Sequence, residues 1–248
     1  MTLHRFHVPG VRPGTMDLPE GARVHATRVL RLGKGDELRV FDAGEEYVAV
    51  IGSIEKHRVM IEVRAAVPAL SERAVCLHLV MSPLKGDLTE LVIQKVTELG
   101  VSRISPVVFE RTDTVARRDP SEGRIERWNR VAVSASEQSG RAVVPVIDRL
   151  TTLAACLAGL PPRQAAELRF MGVEPSLVLD EGSDEAADSA GVEIREVRLA
   201  VGPSGGLSAT DIALLQSAQF KGRRLAPHTL RSETACVAAI AILGDRFR

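Results

Sequence analysis

The chain has 248 residues, of which 45% are hydrophobic, and its 32 basic and 32 acidic residues give no formal net charge. This length allows one large domain or two ordinary ones. The balanced charge excludes a uniformly basic surface for a polyanion, although a local basic face is compatible with it. Aromatic residues make up only 3% of the chain, which argues against recognition through many base-stacking platforms.

Cysteine spacing and hydropathy narrow the class of protein further. Cys76, Cys156 and Cys236 are far apart and each lies in an apolar run, which predicts buried free thiols. We expect no metal, because no group of His, Cys and Asp residues has metal-ligand spacing. The chain has neither a secretory signal pattern nor an apolar run of about 18 residues. We therefore expect a soluble cytoplasmic protein.

Short β-prone runs dominate the first 70 residues, and turn signals such as Pro-Gly and Ala-Gly-Glu separate them. The runs are RFHV (5–8), ELRVFD (37–42), EYVAVIG (46–52) and RVMIEVRAAV (58–67). This pattern is typical of a small antiparallel barrel or sandwich. Residues 20–32 interrupt it and predict one helix. We place a first domain at residues 1–70, with a linker over 67–74.

From residue 75 the pattern alternates between strands and helices. VCLHLVM (75–81) is a continuous apolar run, as expected for a strand buried on both faces. Residues 87–100 predict a helix with Asp87 as N-cap, Glu90 as its N3 partner and Gly100 as the stop. Such alternation implies an α/β second domain with a parallel sheet, at residues 75–248. The predicted apolar face of the helix consists of Leu88, Leu91, Val92, Val96 and Leu99.

The same rhythm continues towards the C-terminus. RISPVVF (103–109), VVPVID (143–148), ELRFMG (167–172) and REVRLAV (195–201) predict strands. Residues 119–138 predict a helix that stops near Gly140, with D-P-S-E at 119–122 as its start signal. The acid-rich stretch 180–191 reads as a surface loop.

A glycine-rich turn, VGPSGG (201–206), separates the last of these strands from a helix. Ser208 and Asp211 predict a capping box, and Leu207 and Ile212 predict a hydrophobic staple, so the helix begins at Ser208. The turn has neither the lysine of a P-loop nor the chain position of a dinucleotide-binding turn. Ligands of open α/β sheets bind at the carboxyl edge of the strands. The turn is therefore either one wall of a ligand site or a simple tight turn.

A second loop of this kind lies in RRLAPHTLRSETACVAAIAIL (223–243). The short strand GRRLA (222–226) leads into a polar, turn-forming stretch, and an apolar helix follows. Ser232 is the predicted N-cap, and Glu233 lies in the first turn, where a carboxylate suits the helix dipole. Capping alone is enough to explain the Ser-Glu-Thr triplet.

Five segments spread along the chain carry a family resemblance. Two are the glycine-rich turn with its helix (201–215) and the stretch LAPHTLRSETACVAAIAIL (225–243). The others are HATRVLRLGKGDELRVFDAG (25–44), KGDLTELVIQKVTELGVSRISPVVFERT (85–112) and ERWNRVAVSASEQSGR (126–141). Together they resemble the RNA small-subunit methyltransferase E family of the SPOUT superfamily.

The resemblance implies both a fold and a reaction. It implies a PUA-like, RNA-binding β-barrel followed by an α/β SPOUT domain with a trefoil knot and a mostly parallel sheet. The implied activity is methylation of N3 of a specific uridine in 16S ribosomal RNA, with S-adenosyl-L-methionine as cofactor and no metal. The implied partners are 16S ribosomal RNA or the small ribosomal subunit, and a second copy of the chain, since the family is homodimeric. No membrane is involved.

The resemblance also implies that three loops hold the cofactor. Backbone N–H and C=O groups of glycine-containing loops can closely approach the polar edges of an adenine. The implied cofactor residues are Met171, Gly172, Val201, Gly202, Gly205, Gly206, Leu225, Ala226, Leu230, Ser232 and Thr234.

Methylation at uridine N3 requires loss of the N3 proton, and two residues of the third loop suit that step. Glu233 is the candidate general base, and Arg231 the candidate for stabilising charge on O2 or O4 of the uridine. The alternatives are helix capping for Glu233 and a phosphate or interface contact for Arg231.

Basic residues mark the predicted RNA face. Arg28 and Arg31, spaced i, i+3, are predicted to share one side of a helix. Such groups position phosphates and do not read bases. The alternative for each is a solvated surface position, and for His25 a structural hydrogen bond. The candidates are Arg5, His25, Arg28 and Arg31 in the first domain and Lys85, Arg111, Arg117 and Arg118 in the second.

Six residues depart from the usual family loops and leave other functions open, with Thr229 and Ser232 among them. Ser204 stands where the family usually has glutamate, and Leu207 where it has phenylalanine. Ala226 replaces a glycine, and His228 replaces an arginine. A non-catalytic RNA-binding assembly factor that keeps the fold is therefore an alternative, as is a SPOUT methyltransferase with another RNA target.

Overall fold

The computed structural model describes residues 3–114, 122–173 and 193–247 and divides into two compact units. The first unit comprises residues 1–72 and 133–144, and the second residues 73–132 and 145–248. The sequence boundaries of 1–70 and 75–248 did not anticipate that residues 133–144 belong to the first unit. The start signal before residue 122, Arg117, Arg118 and the acid-rich stretch 180–191 lie outside the described residues.

The first unit contains a five-stranded sheet in the order β1-β3-β4-β5-β2. Its strands are β1 (Arg5–His7), β2 (Gly14–Asp17), β3 (Glu37–Asp42), β4 (Glu45–Ile54) and β5 (Val59–Val67). Strand β1 pairs in parallel with β3 and the other pairs are antiparallel. Alternate side chains such as Val40 and Ile61 fill the core of the unit. The predicted β-rich first domain is confirmed, although the exposed edge strand β2 was not foreseen.

One helical segment interrupts this sheet, as predicted, but it is shorter than expected. Helix α1 (Glu20–Val24) continues into a π-helical turn over His25–Val29. Arg31 lies beyond the end of the turn and has a φ of +57°. The predicted helical spacing of Arg28 and Arg31 is therefore wrong, because only Arg28 is in the helix.

The second unit is built on a parallel sheet in the order β12-β10-β11-β6-β7-β8, with β9 paired to β7. Every strand pair in it is parallel, so the carboxyl ends of the strands meet at one edge. The predicted α/β class is confirmed. The strands are β6 (Cys76–Met81), β7 (Arg103–Val108), β8 (Val146–Ile147), β9 (Thr151–Thr152), β10 (Glu167–Val173), β11 (Glu196–Val201) and β12 (Lys221–Arg224).

The helices of the second unit follow the predicted alternation. Among the described residues they are α2 (Leu88–Glu98), α3 (Glu122–Ser139), α4 (Leu153–Ala158), α5 (Ala209–Ser217) and α6 (Ser232–Arg246), and α3 belongs to the first unit from residue 133 onwards. Helix α3 ends before Gly140, as expected. Within the described ranges, no helix is long and apolar enough to cross a membrane.

Three local predictions for the second unit are confirmed only in part. Cys76 is exposed at the start of β6, whereas Cys236 is buried as expected. Asp87 is the N-cap residue of α2 but makes no side-chain cap bond, and its carboxylate instead accepts from Arg127 at 3.2 Å. Leu88 and Leu91 are 37% and 44% exposed, because the buried face of α2 runs through Val92, Ile93 and Val96. The predicted C-terminal stop is confirmed by Gly100, whose φ is +91°.

Candidate functional site

A cavity of about 410 Å³ opens at the carboxyl edge of the parallel sheet in the second unit. Strands β10, β11 and β12 end at it, and the two loops singled out in the sequence form much of its wall. Eight predicted cofactor residues line it: Gly172, Val201, Gly202, Gly206, Leu225, Ala226, Leu230 and Ser232. Residues that the cofactor prediction missed also line it: Arg111, Val173, Pro203, Ser204, Leu207, Ala209, Ile212, His228, Thr229 and Ala235.

The other predicted site residues lie close to the wall without lining it. Met171 is fully buried in β10 and packs in the apolar core beneath the cavity. Gly205 is exposed, and Thr234 is exposed on α6. Arg231 is exposed and Glu233 is half-buried, and neither of these two candidate catalytic residues is among the described residues that line the cavity.

The VGPSGG loop owes its shape to two glycines. The Gly206 N–H donates to the Pro203 carbonyl at 2.8 Å and closes a tight turn, with Gly206 at a φ of +73°. A Cβ on Gly202 would lie 2.8 Å from Leu207 Cδ2 and 3.2 Å from the Leu207 backbone nitrogen. The close approach of Leu207 therefore requires glycine at position 202.

The helix that follows this loop begins as the sequence predicts. Ser208 Oγ accepts from the Asp211 N–H at 3.0 Å, and Asp211 Oδ2 accepts from the Ser208 N–H at 3.1 Å. This is a complete capping box. Leu207 and Ile212 pack against one core cluster, which agrees with the predicted staple.

The loop before α6 differs from the prediction by one residue. Arg231 is the N-cap, with extended backbone angles and no side-chain cap bond, and Ser232 is the first helical residue. Ser232 as N-cap is therefore wrong. The side chain of Ser232 is buried and lines the cavity instead. Glu233 lies in the first turn of the helix, as predicted.

The chemistry of the wall fits a flat ligand with apolar faces and polar edges. Leu207, Ile212, Leu225 and Leu230 supply apolar surface, while the glycine-containing loops expose backbone donors and acceptors. Among the described residues of the wall, no side chain is a carboxylate. An adenosine group suits this combination, and the cavity volume lies within the ~300–1,000 Å³ usual for small-molecule sites.

Arg5, predicted to contact RNA, is engaged inside the first unit. Its Nε and Nη2 bond both carboxylate oxygens of buried Glu46, at 3.1 and 2.9 Å. Its remaining bonds run from Nη1 to the carbonyls of Ser136 and Glu137 and from Nη2 to that of Arg141. All five guanidinium donors are thus used within the protein. This is evidence against the predicted RNA contact, and it gives Arg5 a structural role.

The other predicted RNA residues lie on the surface. His25, Arg28 and Arg31 are exposed, and the His25 ring meets the ring of Phe6 edge-on at 5.8 Å. Lys85 is 73% exposed and forms an ion pair of 2.9 Å with Asp113. Arg111 is exposed, lines the cavity and donates to the Gly205 carbonyl at 3.0 Å.

A second polar cluster, which the sequence analysis missed, lies towards the amino edge of the same sheet, beside a cavity of about 270 Å³. Arg198 donates to His78 Nδ1 at 2.8 Å, so the ring proton resides on Nε2, which donates to Ser105 Oγ at 2.7 Å. The Ser105 hydroxyl in turn donates to Asp148. Burial, together with the charges of Arg198 and Arg103, lowers the pKa of His78 to about 4.

The direction of these bonds does not match a serine nucleophile activated by histidine. A nucleophilic serine needs a base that accepts its proton, whereas His78 Nε2 donates to Ser105. The partners come from β6, β7 and β11 and from the segment after β8, so the sequence spacing gave no signal. In the described part of the chain, this cluster included, no group of three or more His, Cys, Asp or Glu residues is arranged to hold a metal ion.

Comparison with known proteins decides the family. An RNA methyltransferase domain matches residues 71–244, and an RNA methyltransferase PUA domain matches residues 24–64. The chain belongs to the RNA methyltransferase family. The predicted family and the PUA-like first domain are thereby confirmed.

Named relatives of this RNA methyltransferase agree over nearly its whole length. A ribosomal RNA small subunit methyltransferase E from Aquifex aeolicus is 27% identical and covers 97% of this chain and 99% of its own. The crystal structure of a protein of the same name from Neisseria gonorrhoeae, bound to S-adenosyl methionine, is 26% identical, with a TM-score of 0.85 over 99% of this chain and 98% of its own. A probable rRNA-methyltransferase from Porphyromonas gingivalis is 25% identical, with a TM-score of 0.79 over 99% of this chain and 100% of its own.

Proposed function

We propose that this RNA methyltransferase transfers a methyl group from S-adenosyl-L-methionine to N3 of a specific uridine in 16S ribosomal RNA. One observation carries the proposal. The cavity at the carboxyl edge is walled by the VGPSGG and 225–231 loops, in a fold shared with a relative that was crystallised with this cofactor.

The residues of the cavity suit the proposed cofactor. The backbones of Gly202, Gly206 and Leu225 are the proposed holders of the adenine edges, and the apolar side chains of Leu207 and Ile212 flank its faces. Met171 keeps only a supporting role in this proposal, since it is buried in the strand beneath. The cofactor supplies an electrophilic methyl group on a sulfonium, so the reaction needs no metal.

The protein has two tasks in such a transfer. It must align the uridine N3 in line with the methyl–sulfur bond, and it must accept the N3 proton while the N–C bond forms and the S–C bond breaks. We assign the proton to Glu233 and the stabilisation of the uridine oxygens to Arg231. Both residues flank Ser232, which lines the cavity. We keep Thr234, the residue after Glu233 in α6, as a proposed cofactor contact.

We assign phosphate contacts to the exposed basic residues of both units. His25, Arg28 and Arg31 serve in the first unit, and Lys85 and Arg111 in the second. Arg5 is left out, because its donors are bonded within the protein. The first unit is the proposed RNA-binding domain, and we propose a cytoplasmic location because it suits a ribosomal substrate.

A homodimer and a trefoil knot remain part of the proposal. Helices α2 and α6 pack against each other and expose Leu88, Leu91 and Ile242, which are apolar side chains suited to a partner surface. Light scattering after gel filtration tests the dimer, since a monomer at micromolar concentration contradicts it.

The alternative is a non-catalytic RNA-binding assembly factor, and the positions of two residues favour it. Ser204 and His228, the departures noted in the sequence, both line the cavity. A calorimetric titration with S-adenosyl-L-methionine separates the two functions, because a degenerate site releases no heat.

Nucleoside mass spectrometry of ribosomal RNA from a strain lacking the gene tests the target. We expect one 3-methyluridine to disappear from 16S RNA and to return with the wild-type gene. Full retention of 3-methyluridine contradicts the assigned target. Loss of a different methylated nucleoside identifies another RNA target instead.

A further inference from the structure

The turn that follows β7, residues Phe109–Thr112, contacts the VGPSGG loop directly; we call it the β7 turn. Arg111 Nη1 donates to the Gly205 carbonyl at 3.0 Å. The stem of the same side chain packs over the loop, because a Cβ on Gly205 would lie 3.4 Å from Arg111 Cβ. Arg111 therefore contacts this loop through both its charge and its stem.

The β7 turn is held by bonds of its own. The Thr112 N–H donates to the Phe109 carbonyl at 3.1 Å, and the Phe109 N–H donates to Thr112 Oγ1 at 2.8 Å. Thr112 is buried, and its hydroxyl also bonds the Ser82 hydroxyl at 3.0 Å, at the end of β6. The backbone that carries Arg111 is consequently fixed to the edge of the sheet.

A buried carboxylate joins this turn to the far end of the VGPSGG loop. Asp211 Oδ1 accepts from the Glu110 N–H at 3.2 Å, and its Oδ2 accepts from the Ser208 N–H at 3.1 Å. One side chain thus ties the residue before Arg111 to the first residues of α5. The loop is held in its middle by Arg111 and at its end by Asp211.

We propose that Arg111 is a positioning residue for the VGPSGG loop, acting through Gly205 and supported by Asp211. The inference rests on the proposed function, because it takes the loop to be a wall of the cofactor site. A loop that is ordered before binding loses less entropy when the cofactor binds, so affinity rises. A guanidinium carries five donors, and a single one serves Gly205, so this role is compatible with a phosphate contact.

The variant Arg111→Met tests this role when S-adenosyl-L-methionine is titrated by calorimetry without RNA. Methionine retains an apolar stem but loses the charged hydrogen bond, so we expect the Kd to rise about three- to tenfold. An unchanged Kd with a raised KM for RNA overturns the proposal and leaves Arg111 as an RNA contact only. Arg127→Met is the matched control, since that guanidinium is similarly exposed, is paired with Glu90 and does not line the cavity.

The support from Asp211 is tested by a pair of variants. In Asp211→Asn only one side-chain oxygen remains to accept, so either the Glu110 or the Ser208 N–H faces an amide NH₂. Ser208→Ala removes the cap but keeps the carboxylate and its bond to Glu110. We expect Asp211→Asn to raise the Kd at least threefold more than Ser208→Ala does. Equal values overturn the assigned link.

Hydrogen exchange of the cofactor-free protein tests the positioning role without any ligand, so its result does not depend on the proposed function. The Gly206 N–H is bonded to the Pro203 carbonyl, so its exchange reports the order of the loop. We expect at least threefold faster exchange in Arg111→Met than in wild type or Arg127→Met. Equal exchange overturns the positioning role. A wild-type protein that fails to bind S-adenosyl-L-methionine overturns the proposed function instead.

Discussion

Replacing Gly202 with alanine tests whether the cavity depends on the close approach of Leu207. The new Cβ would lie 2.8 Å from Leu207 Cδ2, 3.0 Å from its Cγ and 3.2 Å from its backbone nitrogen. Carbon atoms in contact prefer about 3.5–4.0 Å, so the Leu207 side chain must move by roughly 1 Å. We expect a loss of ~1–3 kcal/mol in the free energy of unfolding, as for other overpacked sites.

The effect on cofactor binding should exceed the effect on stability, because the displaced residue is part of the cavity wall. We expect the Kd for S-adenosyl-L-methionine to rise at least tenfold, measured by calorimetry, with urea unfolding as the parallel assay. Gly21→Ala is the control, since Gly21 lies in α1 and a Cβ there meets nothing within 4 Å. That change should be neutral or stabilise by up to ~1 kcal/mol.

A double-mutant cycle with Leu207→Ala isolates the contact. If the clash with the Leu207 side chain causes the loss, the two substitutions together should cost less than the sum of their separate effects. Additive costs, or a Gly202→Ala protein with wild-type stability and affinity, would refute the reasoning.

Three further predictions concern the polar network, the structural arginine and the proposed base. In the folded protein the pKa of His78 is about 4, below its ordinary 6.5. The contribution of the neutral ring to the free energy of unfolding is therefore complete above pH 6.5 and is lost as pH falls to 4. The loss between pH 7 and 5 is ~2 kcal/mol. Urea unfolding of His78→Gln should therefore show a smaller fall in the free energy of unfolding over this range than wild type does, and equal pH dependence in the two proteins contradicts the prediction. Arg5→Met should lower the free energy of unfolding by ~3 kcal/mol, because buried Glu46 loses one of its cationic partners. Thermal unfolding measures this effect, and a wild-type Tm contradicts it. Glu233→Gln should abolish most methyl transfer without raising the Kd for the cofactor, and normal transfer at every pH tested refutes the assigned base.

Local chemistry could be predicted from the sequence because its partners are close along the chain. Ser208 and Asp211 are three residues apart, and their capping box formed as expected. The same reasoning failed at Ser232, where the extended backbone that defines an N-cap fell one residue earlier, at Arg231. At Asp87 the predicted N-cap position is correct, but the side chain makes no cap bond and instead accepts from Arg127, 40 residues away.

Contacts between residues far apart in the sequence could not be predicted, because no local pattern connects the partners. Arg5 was predicted to bind RNA, yet its acceptors lie between 41 and 136 residues away in sequence. The cavity itself was anticipated through three loops, but Arg111 lines it from the turn after β7, which the cofactor prediction did not include. His78 and Ser105 come from neighbouring strands, and no spacing rule links them. The fold class was recoverable because alternation of strands and helices is a property of the whole chain.

The division of the chain also sets an order for its synthesis. The first unit needs residues 133–144, and Arg5 bonds carbonyls of Ser136, Glu137 and Arg141 within that segment. Between the two parts of this unit the ribosome must translate residues 73–132, which belong to the second unit. At ~5–20 residues per second, that stretch delays completion by roughly 3–12 s. The strands of the first unit are therefore synthesised early, but the carbonyl groups that accept from Arg5 are added late. A nascent chain halted before residue 133 should consequently be open to proteolysis near Arg5.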